Sequence, residues 1–295
     1  MTVPVPLPDH LVIVCGHGIW LGGPALGHDE SEWLIEGYKA GETPTFIEHI
    51  KAGIRTVADD KRALLAFSGG PTRSETPLSE ARSYANLAAA NDYFGLLSHE
   101  TKTTMTAATA AVAAEAHPFS LSPLHHRILV EEQALDSYYN ILFSLVAFWR
   151  RVGAWPARVT IVSHAFKRSR LVDDHCGSAA IAILPLDQRV SFIGINPPNL
   201  PAEFGGASNA ASTTSVLEDK SQAMQGARDV LGHWATDPHG VGHLLAGKRR
   251  ARNPWKCDQK LFVNDTERQR SGLLTRLVGD DMEAIAEGSP RPWNN

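Results

Sequence analysis

Ala63-Leu64-Leu65-Ala66-Phe67 runs into Ser68-Gly69-Gly70-Pro71-Thr72-Arg73, and a helical segment then opens near Pro77 and carries Glu80. A short apolar run that breaks at paired glycines and re-emerges as a helix reads as a buried parallel strand delivering a loop to the carboxyl edge of a sheet. Ligands bind at such edges. Gly69 and Gly70 let the main chain approach a ligand closely, and Ser68, Thr72 and Arg73 add donors suited to an anion. A Ser-Gly-Gly-Pro run also serves plain turn geometry. Its functional weight therefore depends on whether other strand ends carry chemistry too.

They do. Upstream, Leu11-Val12-Ile13-Val14-Cys15 is a β-branched run ending in the glycine-rich Gly16-His17-Gly18-Ile19-Trp20-Leu21-Gly22-Gly23. Thr43-Pro44 then starts a helix with Phe46, Ile47, Ile50, Ile54 and Val57 at helical spacing. Downstream of the central strand, a helix from about 77 to 91 and a peripheral one from 98 to 116 are expected. Arg127-Ile128-Leu129-Val130 makes a third strand, followed by Glu131 and a helix whose Ile141, Leu142, Leu145, Val146 and Trp149 form one apolar face. Residues 159–162 make a fourth strand, ending at Ser163-His164 and followed by a helix with Lys167 and Arg170, which Gly177 ends. Residues 179–184 and 190–195 read as fifth and sixth strands.

Strands alternating with helices imply right-handed crossovers and a mostly parallel, Rossmann-like sheet covered on both faces, a three-layer α/β/α sandwich. Beyond Pro197-Pro198 the pattern changes to a Gly, Ser, Ala and Thr loop, a helix around 215–234, an irregular basic segment, a final helix near 258–278 and loose Pro-rich last residues. We read residues 1–198 as an α/β core and 199–295 as a carboxy-terminal helical extension packed on the same domain.

Composition limits the function. The 295 residues are 43% hydrophobic, enough for a substantial core, and 28 basic against 32 acidic residues give a net charge of -4. Nothing in that balance draws the chain to nucleic acid or to an anionic membrane, so an anion site must be local. Cys15, Cys176 and Cys257 are odd in number and widely spaced, which suits reduced thiols and a cytoplasmic address. Residues 1–10 resemble a lead-in arm, not a signal peptide, and the apolar run at 179–186 is too short to span a bilayer.

The candidate site residues come from the four strand ends. Gly16-x-Gly18-x-x-x-Gly22 departs from the dinucleotide fingerprint, which argues against a nicotinamide cofactor. Gly16 and Gly18 are candidate ligand-binding positions, and His17 is a candidate acid or base or else a structural hydrogen-bonder. Cys15 reads as a buried small apolar residue. Ser68 lacks the Gly-x-Ser-x-Gly elbow, so it reads as a donor and not as a nucleophile. Glu80 either favours its helix end or turns its carboxylate back toward the loop. Glu131 sits where a carboxylate can bind a hydroxyl, hold a metal or move a proton, with Asp136, Ser137 and Asn140 a turn later. Asn140 is a candidate ligand-binding residue, and the cluster reads equally as helix capping with Asp136 or Ser137 as the cap. Ser163, Lys167 and Arg170 would complete an anion site or form a solvated face. No metal set is expected: His239 and His243 are four apart, but flanking glycines argue against the helix that would align them. The basic run Lys248-Arg249-Arg250-Ala251-Arg252, with Asn253, Pro254 and Trp255, is either a soluble surface or a cover over a phosphate and a base.

With these residues assembled, the chain resembles the YdcF, SanA and ElyC-like proteins, the family numbered 218 among domains of unknown function, in a version like those of fungi. The resemblance covers about residues 11–195 and rests on Ser68-Gly69-Gly70, Ser79-Glu80-Ala81, Ile128-Leu129-Val130-Glu131 and Asn140. Ser137 stands where the family has a threonine and Ala134 where it has a serine. The last motif, from Val162-Ser163 to Arg170, matches only with a shift, and Phe166 or Lys167 replaces its histidine. The resemblance implies a Rossmann-like fold with an edge pocket and leaves the reaction open.

Three functions fit this reading. The first is a hydrolase or transferase acting on a small phosphate-bearing or nucleotide-like molecule, with Gly69, Gly70, Arg73, Lys167 and Arg170 holding the anion and Glu131, Glu80 or His17 moving protons. The second is a non-catalytic sensor of such a ligand. The third is a methyltransferase-like binder of an adenosyl cofactor.

Overall fold

β1 (His10–Cys15) is the middle strand of a five-stranded, wholly parallel sheet in a computed structural model that describes residues 7–96, 124–198, 200, 232–279 and 282–294. Outside the sheet, β2 (Ile19–Trp20) pairs with β3 (Trp33–Leu34). The neighbours of β1 in the sheet are β4 (Ala63–Ser68) and β6 (Arg158–Ser163), while β5 (Ile128–Glu131) and β7 (Val190–Gly194) form the edges. The order β5-β4-β1-β6-β7 means that the chain first builds outward on one side of β1 and then crosses to the other. This is the doubly wound, Rossmann-like arrangement, with a switch point between β1 and β6.

Alternation along the strands explains the layers. Val12, Val14, Leu65 and Phe67 face one side, where they meet α1 (Thr43–Asp59) and α2 (Glu80–Ala90) through Phe46, Ile50, Val57, Tyr84 and Leu87. Gly53 brings α1 onto the sheet: a Cβ there would stand 2.4 Å from Val14 Cγ2. Leu11, Ile13, Cys15, Leu64 and Ala66 face the other side and meet α3 (Ser137–Val152) through Ile141, Leu142, Leu145 and Val146. Asp136 caps α3, accepting from the amides of Tyr138 and Tyr139, and Gly153 ends it at φ 79°.

The outer face of α3 is covered by the carboxy-terminal part. Trp234, Leu245, Leu261, Phe262, Leu273, Ile285 and Trp293 belong to the same buried cluster as the inner face. Here α4 (His243–Ala251) and α5 (Asp265–Ser271) accompany an antiparallel pair, β8 (Thr275–Val278) with β9 (Met282–Ile285). Glu283 ties this unit together, accepting from the amides of Leu261 at 2.8 Å and Phe262 at 3.2 Å and from Arg268 Nε at 2.8 Å.

Four expectations need correction. Residues 179–184 are not a strand: the amides of Ile181, Ala182 and Ile183 bond back to His175, Gly177 and Cys176, so this apolar run closes on itself. The helix expected over 258–278 is confined to α5, and its last residues form β8. The extension is therefore not purely helical. Its last residues are not loose either, since Trp293 is buried and Arg291 Nη2 donates to Ala180 O at 3.0 Å. Lys167 and Arg170 lie on a 3-10 turn, Ala165–Lys167, followed by a π-helical stretch, Ser169–His175, and not on a regular α-helix. The helix expected at 98–116, most of the loop and helix at 199–234, and most of the arm at 1–10 lie outside the described residues. Among the described residues, no helix is long and apolar enough to cross a membrane.

Candidate functional site

β1 and β6 flank the topological switch point, and doubly wound sheets hold ligands in a crevice outside the strand ends at such a point. Gly16-His17 enters it from β1, and Ser163-His164, Lys167 and Arg170 from β6. Gly18, Ser68, Glu131 and Ser163 all follow or end parallel strands, so they share the carboxyl edge.

His17 is the hub. Its Nδ1 lies 3.2 Å from Lys167 Nζ and its Nε2 lies 3.1 Å from Ser163 Oγ. An ammonium has only donors, so Lys167 donates to Nδ1, and the ring proton sits on Nε2, where it is donated to the serine. The main chain of His17 is engaged as well. Its amide donates to Tyr84 Oη at 3.1 Å, and its carbonyl accepts from Lys39 Nζ at 2.6 Å. The imidazole is buried, and burial followed by the charge of Lys167 holds it well below the usual histidine range.

The cations around it are unequal. Lys39 pairs with Glu36 at 2.7 Å, and that carboxylate outweighs burial and keeps the amine above the ordinary lysine value. Lys167 is brought down to about 7 by burial, then by Arg170 and Lys39. Arg170 is also lowered, by burial and then by Arg252. Among the described residues no carboxylate lies within 4.0 Å of Lys167 or Arg170, and Arg170 Nε is buried without a hydrogen-bond partner. Two desolvated cations thus sit three residues apart with no carboxylate in ion-pair contact among the described residues, while Glu42 acts on Lys167, and Asp136 and Asp174 on Arg170, from farther off.

Three imidazoles meet here: His17, His49 and His164 offer nitrogens within 4.8 Å of one another. His49 has the form of a metal ligand, since its Nε2 bonds to Ile195 O at 2.9 Å and its Nδ1 is unengaged. His17 does not, because both of its nitrogens are already bonded. Its ring also stacks on that of His164, with centroids 4.3 Å apart and planes 19° from parallel, so their in-plane lone pairs do not converge on one ion. The adjoining cations oppose a metal too. His17 and His164 form a stacked pair with His49 edge-on to both, Glu42 Oε2 lies 3.6 Å from His164 Nε2, and burial brings His49 down to about 4.

Glu80, on the first turn of α2, does turn back toward the loops. A Cβ on Gly16 would stand 2.5 Å from its Cβ, and one on Gly69, whose φ is +152°, would stand 2.8 Å from its Oε2. Burial raises its pKa, and Thr72 Oγ1 donates to its Oε1 at 3.1 Å. The glycine amides, by contrast, are committed to the framework. Gly16 N–H donates to Ser68 O at 2.8 Å, Gly69 N–H to Glu131 O at 3.0 Å, and Gly70 N–H to Ala134 O at 2.6 Å. The donors left over at this edge are therefore side chains, and its glycines provide close approach.

Glu131, Ser68 and Asn140 form a separate buried knot. Glu131 Oε2 accepts from Ser68 Oγ at 2.5 Å, and Oε1 accepts from the amides of Gln133 at 2.6 Å and Ala134 at 3.0 Å. Ser68 Oγ also lies 3.2 Å from Asn140 Oδ1. Burial pushes Glu131 up to about 7 against those hydrogen bonds, which favour the carboxylate. Its Oε1 bonds hold the loop after β5, and its Oε2 bond ties that loop to the end of β4. Asn140 is bonded to Cys15, whose thiol burial raises to about 11. Gly18 is a packing glycine, since a Cβ there would stand 2.8 Å from Ile35 Cγ2. Arg73 pairs with Glu36 at 3.3 Å.

The carboxy-terminal part reaches the same edge. Trp255 Nε1 donates to Arg73 O at 2.8 Å, Arg249 is buried against Asp136, and Arg252 comes within electrostatic reach of Glu80 and Arg170. The sequence reading did not place Lys39, His49 or Arg252 in the site. Their only sequence signal was the basic run containing Arg252.

No family model matches the chain. It is similar to the uncharacterised protein YOR238W of Saccharomyces cerevisiae (strain ATCC 204508 / S288c), at 24% identity over 287 residues covering 89% of this chain and 91% of that protein. No solved structure matches.

Proposed function

We propose that this protein is a cytoplasmic enzyme, a hydrolase or transferase, that binds a small phosphate-bearing or nucleotide-like molecule in the crevice between the ends of β1 and β6. The single observation that carries the reading is the pair Lys167 and Arg170, desolvated and without a carboxylate within 4.0 Å among the described residues. Burying like charges together is costly unless a counter-charge arrives, and a phosphate supplies it through charge-assisted hydrogen bonds. Proton transfer in this reading falls to His17 and Glu80, which border the crevice. Glu131 is the weaker candidate, since all its bonds go to the knot. The three free cysteines support a reducing compartment. The Rossmann-like sheet and the strand-end motifs support kinship with the YdcF-like family.

Thermal unfolding of the full-length protein against inorganic phosphate, pyrophosphate, sugar phosphates and nucleotides tests the reading. A ligand at 100 times its dissociation constant stabilises by about 2.7 kcal/mol, and Arg170→Ala should remove most of that gain. A flat response to the whole panel at low salt rejects the proposal.

A further inference from the structure

Lys167 Nζ, His17 Nδ1, His17 Nε2 and Ser163 Oγ form one continuous hydrogen-bonded line, with steps of 3.2 Å and 3.1 Å. An amine, a base beside it and a third group orienting the base are the parts of an activated nucleophile. Lys39 shares the crevice but is bound to Glu36 as a cation. The Cys15 thiol is buried against Asn140. Lys167 is the amine that has an acceptor beside it and no acid within 4.0 Å among the described residues.

Resting on the reading that the crevice takes a phosphate-bearing ligand, we propose that the ligand also carries an aldehyde or ketone and that Lys167 condenses with it to an imine, with His17 as the base and Ser163 as the residue positioning that base. Arg170 remains as the cation for the phosphate. The lowered basicity of Lys167, to about 7, supports this, because a large share of the amine is then neutral near neutral pH.

The step balances. His17 Nδ1 takes a proton from the ammonium, and the freed Nζ lone pair attacks the carbonyl carbon, forming C–N as the C=O π bond breaks. Proton transfer from nitrogen to oxygen gives the carbinolamine. His17 returns its proton to the carbinolamine hydroxyl, which leaves as water, and the protonated imine carries the positive charge that the ammonium brought. No oxidant or reductant is needed.

The test treats the full-length protein near neutral pH with glyceraldehyde 3-phosphate, traps imines with borohydride and maps the adducts by peptide mass spectrometry. Unphosphorylated glyceraldehyde is the control, and inorganic phosphate is titrated separately by thermal unfolding. The expected result is one dominant reduced adduct on Lys167, about tenfold or more above that on surface Lys61, a preference set by the share of neutral amine. The phosphorylated probe should outrun the control. Lys167→Arg should abolish the adduct while phosphate still raises the melting temperature. Ser163→Ala should slow trapping by about tenfold, the low end of what a positioned base contributes, and Ser163→Thr should restore it. Adducts spread evenly over surface lysines, with phosphate still stabilising the protein, overturn the imine and leave the anion site. If phosphate has no effect and Lys167 has no adduct, both readings fall.

Discussion

Asp136 serves two masters with its two carboxylate oxygens: Oδ1 caps α3 by accepting from the amides of Tyr138 and Tyr139, and Oδ2 pairs with Arg249 of α4. The guanidinium of Arg249 also lies 4.6 Å from the centre of the Tyr139 ring. Cap, ion pair and cation–π contact therefore join the core helix to the carboxy-terminal part at one point. Arg249→Ala leaves a largely buried carboxylate without its cation, and removing one partner of such a pair costs about 3 kcal/mol or more. Asp136→Asn keeps the cap and should cost less than Arg249→Ala when both are compared by urea denaturation.

Arg170→Met should trade binding for stability. An unpartnered, desolvated guanidinium destabilises the fold, and replacing it with an apolar chain of similar length should raise stability by about 1 kcal/mol, as changes that relax a strained functional site do. Phosphate affinity should fall about tenfold or more, the worth of a charge-assisted hydrogen bond. A melting temperature that drops, with affinity unchanged, would return Arg170 to an ordinary structural role.

Glu131→Gln should alter how stability depends on pH. The folded-state value of about 7 lies above the unfolded value near 4.5. Such a group contributes stability that is fully present below the unfolded value and is lost as the pH rises through the folded one. The wild type should therefore lose stability relative to the glutamine variant between about pH 4.5 and 7. Parallel urea midpoints for the two proteins across that window would mean that the hydrogen bonds from Ser68, Gln133 and Ala134 keep the carboxylate ionised.

Gly53→Ala sets two effects against each other. In an exposed helix interior the change gains about 1 kcal/mol in propensity. Here the new Cβ would stand 2.4 Å from Val14 Cγ2 and 3.0 Å from Leu65 Cδ1, and overpacking a sheet-to-helix contact costs about 1–3 kcal/mol. Packing should win, and calorimetry should show a lower melting temperature. A higher one would show that β1 yields under α1 at little cost.

The central sheet was legible because a buried parallel strand announces itself twice, by a short apolar run and by the glycines that let the chain leave its end. Cys15-Gly16 and Ser68-Gly69 carried both parts of that signal and Val130-Glu131 the apolar run followed by a carboxylate, and the edge they share followed from it. Residues 179–184 carried half of it. An apolar run has the same composition whether its amides reach a neighbouring strand or return to residues 175–177, and nothing local distinguishes the two. The site was legible where a strand end delivered it, as with His17 and Lys167. His49 was hidden because it sits among the apolar positions of α1, 32 residues from His17, and only the docking of α1 onto β1 brings it close. Glu131 carries a related ambiguity, although the burial expected past its strand does raise it to about 7. A carboxylate at a strand end has the same sequence signature whether it faces a ligand or, as here, ties down the next loop.

The buried cluster around α3 also constrains the order of events during synthesis. Trp234, Phe262 and Trp293 cover a helix that ends at Val152, so the covering residues leave the ribosome well after the helix they cover. At about 5–20 residues per second, the 99 residues from Gly194, the end of β7, to Trp293 take roughly 5–20 s to make. For that interval the nascent sheet carries an uncovered apolar helix face. A chaperone that shields apolar surface should therefore engage ribosome-bound chains stalled after residue 198 far more than the released protein.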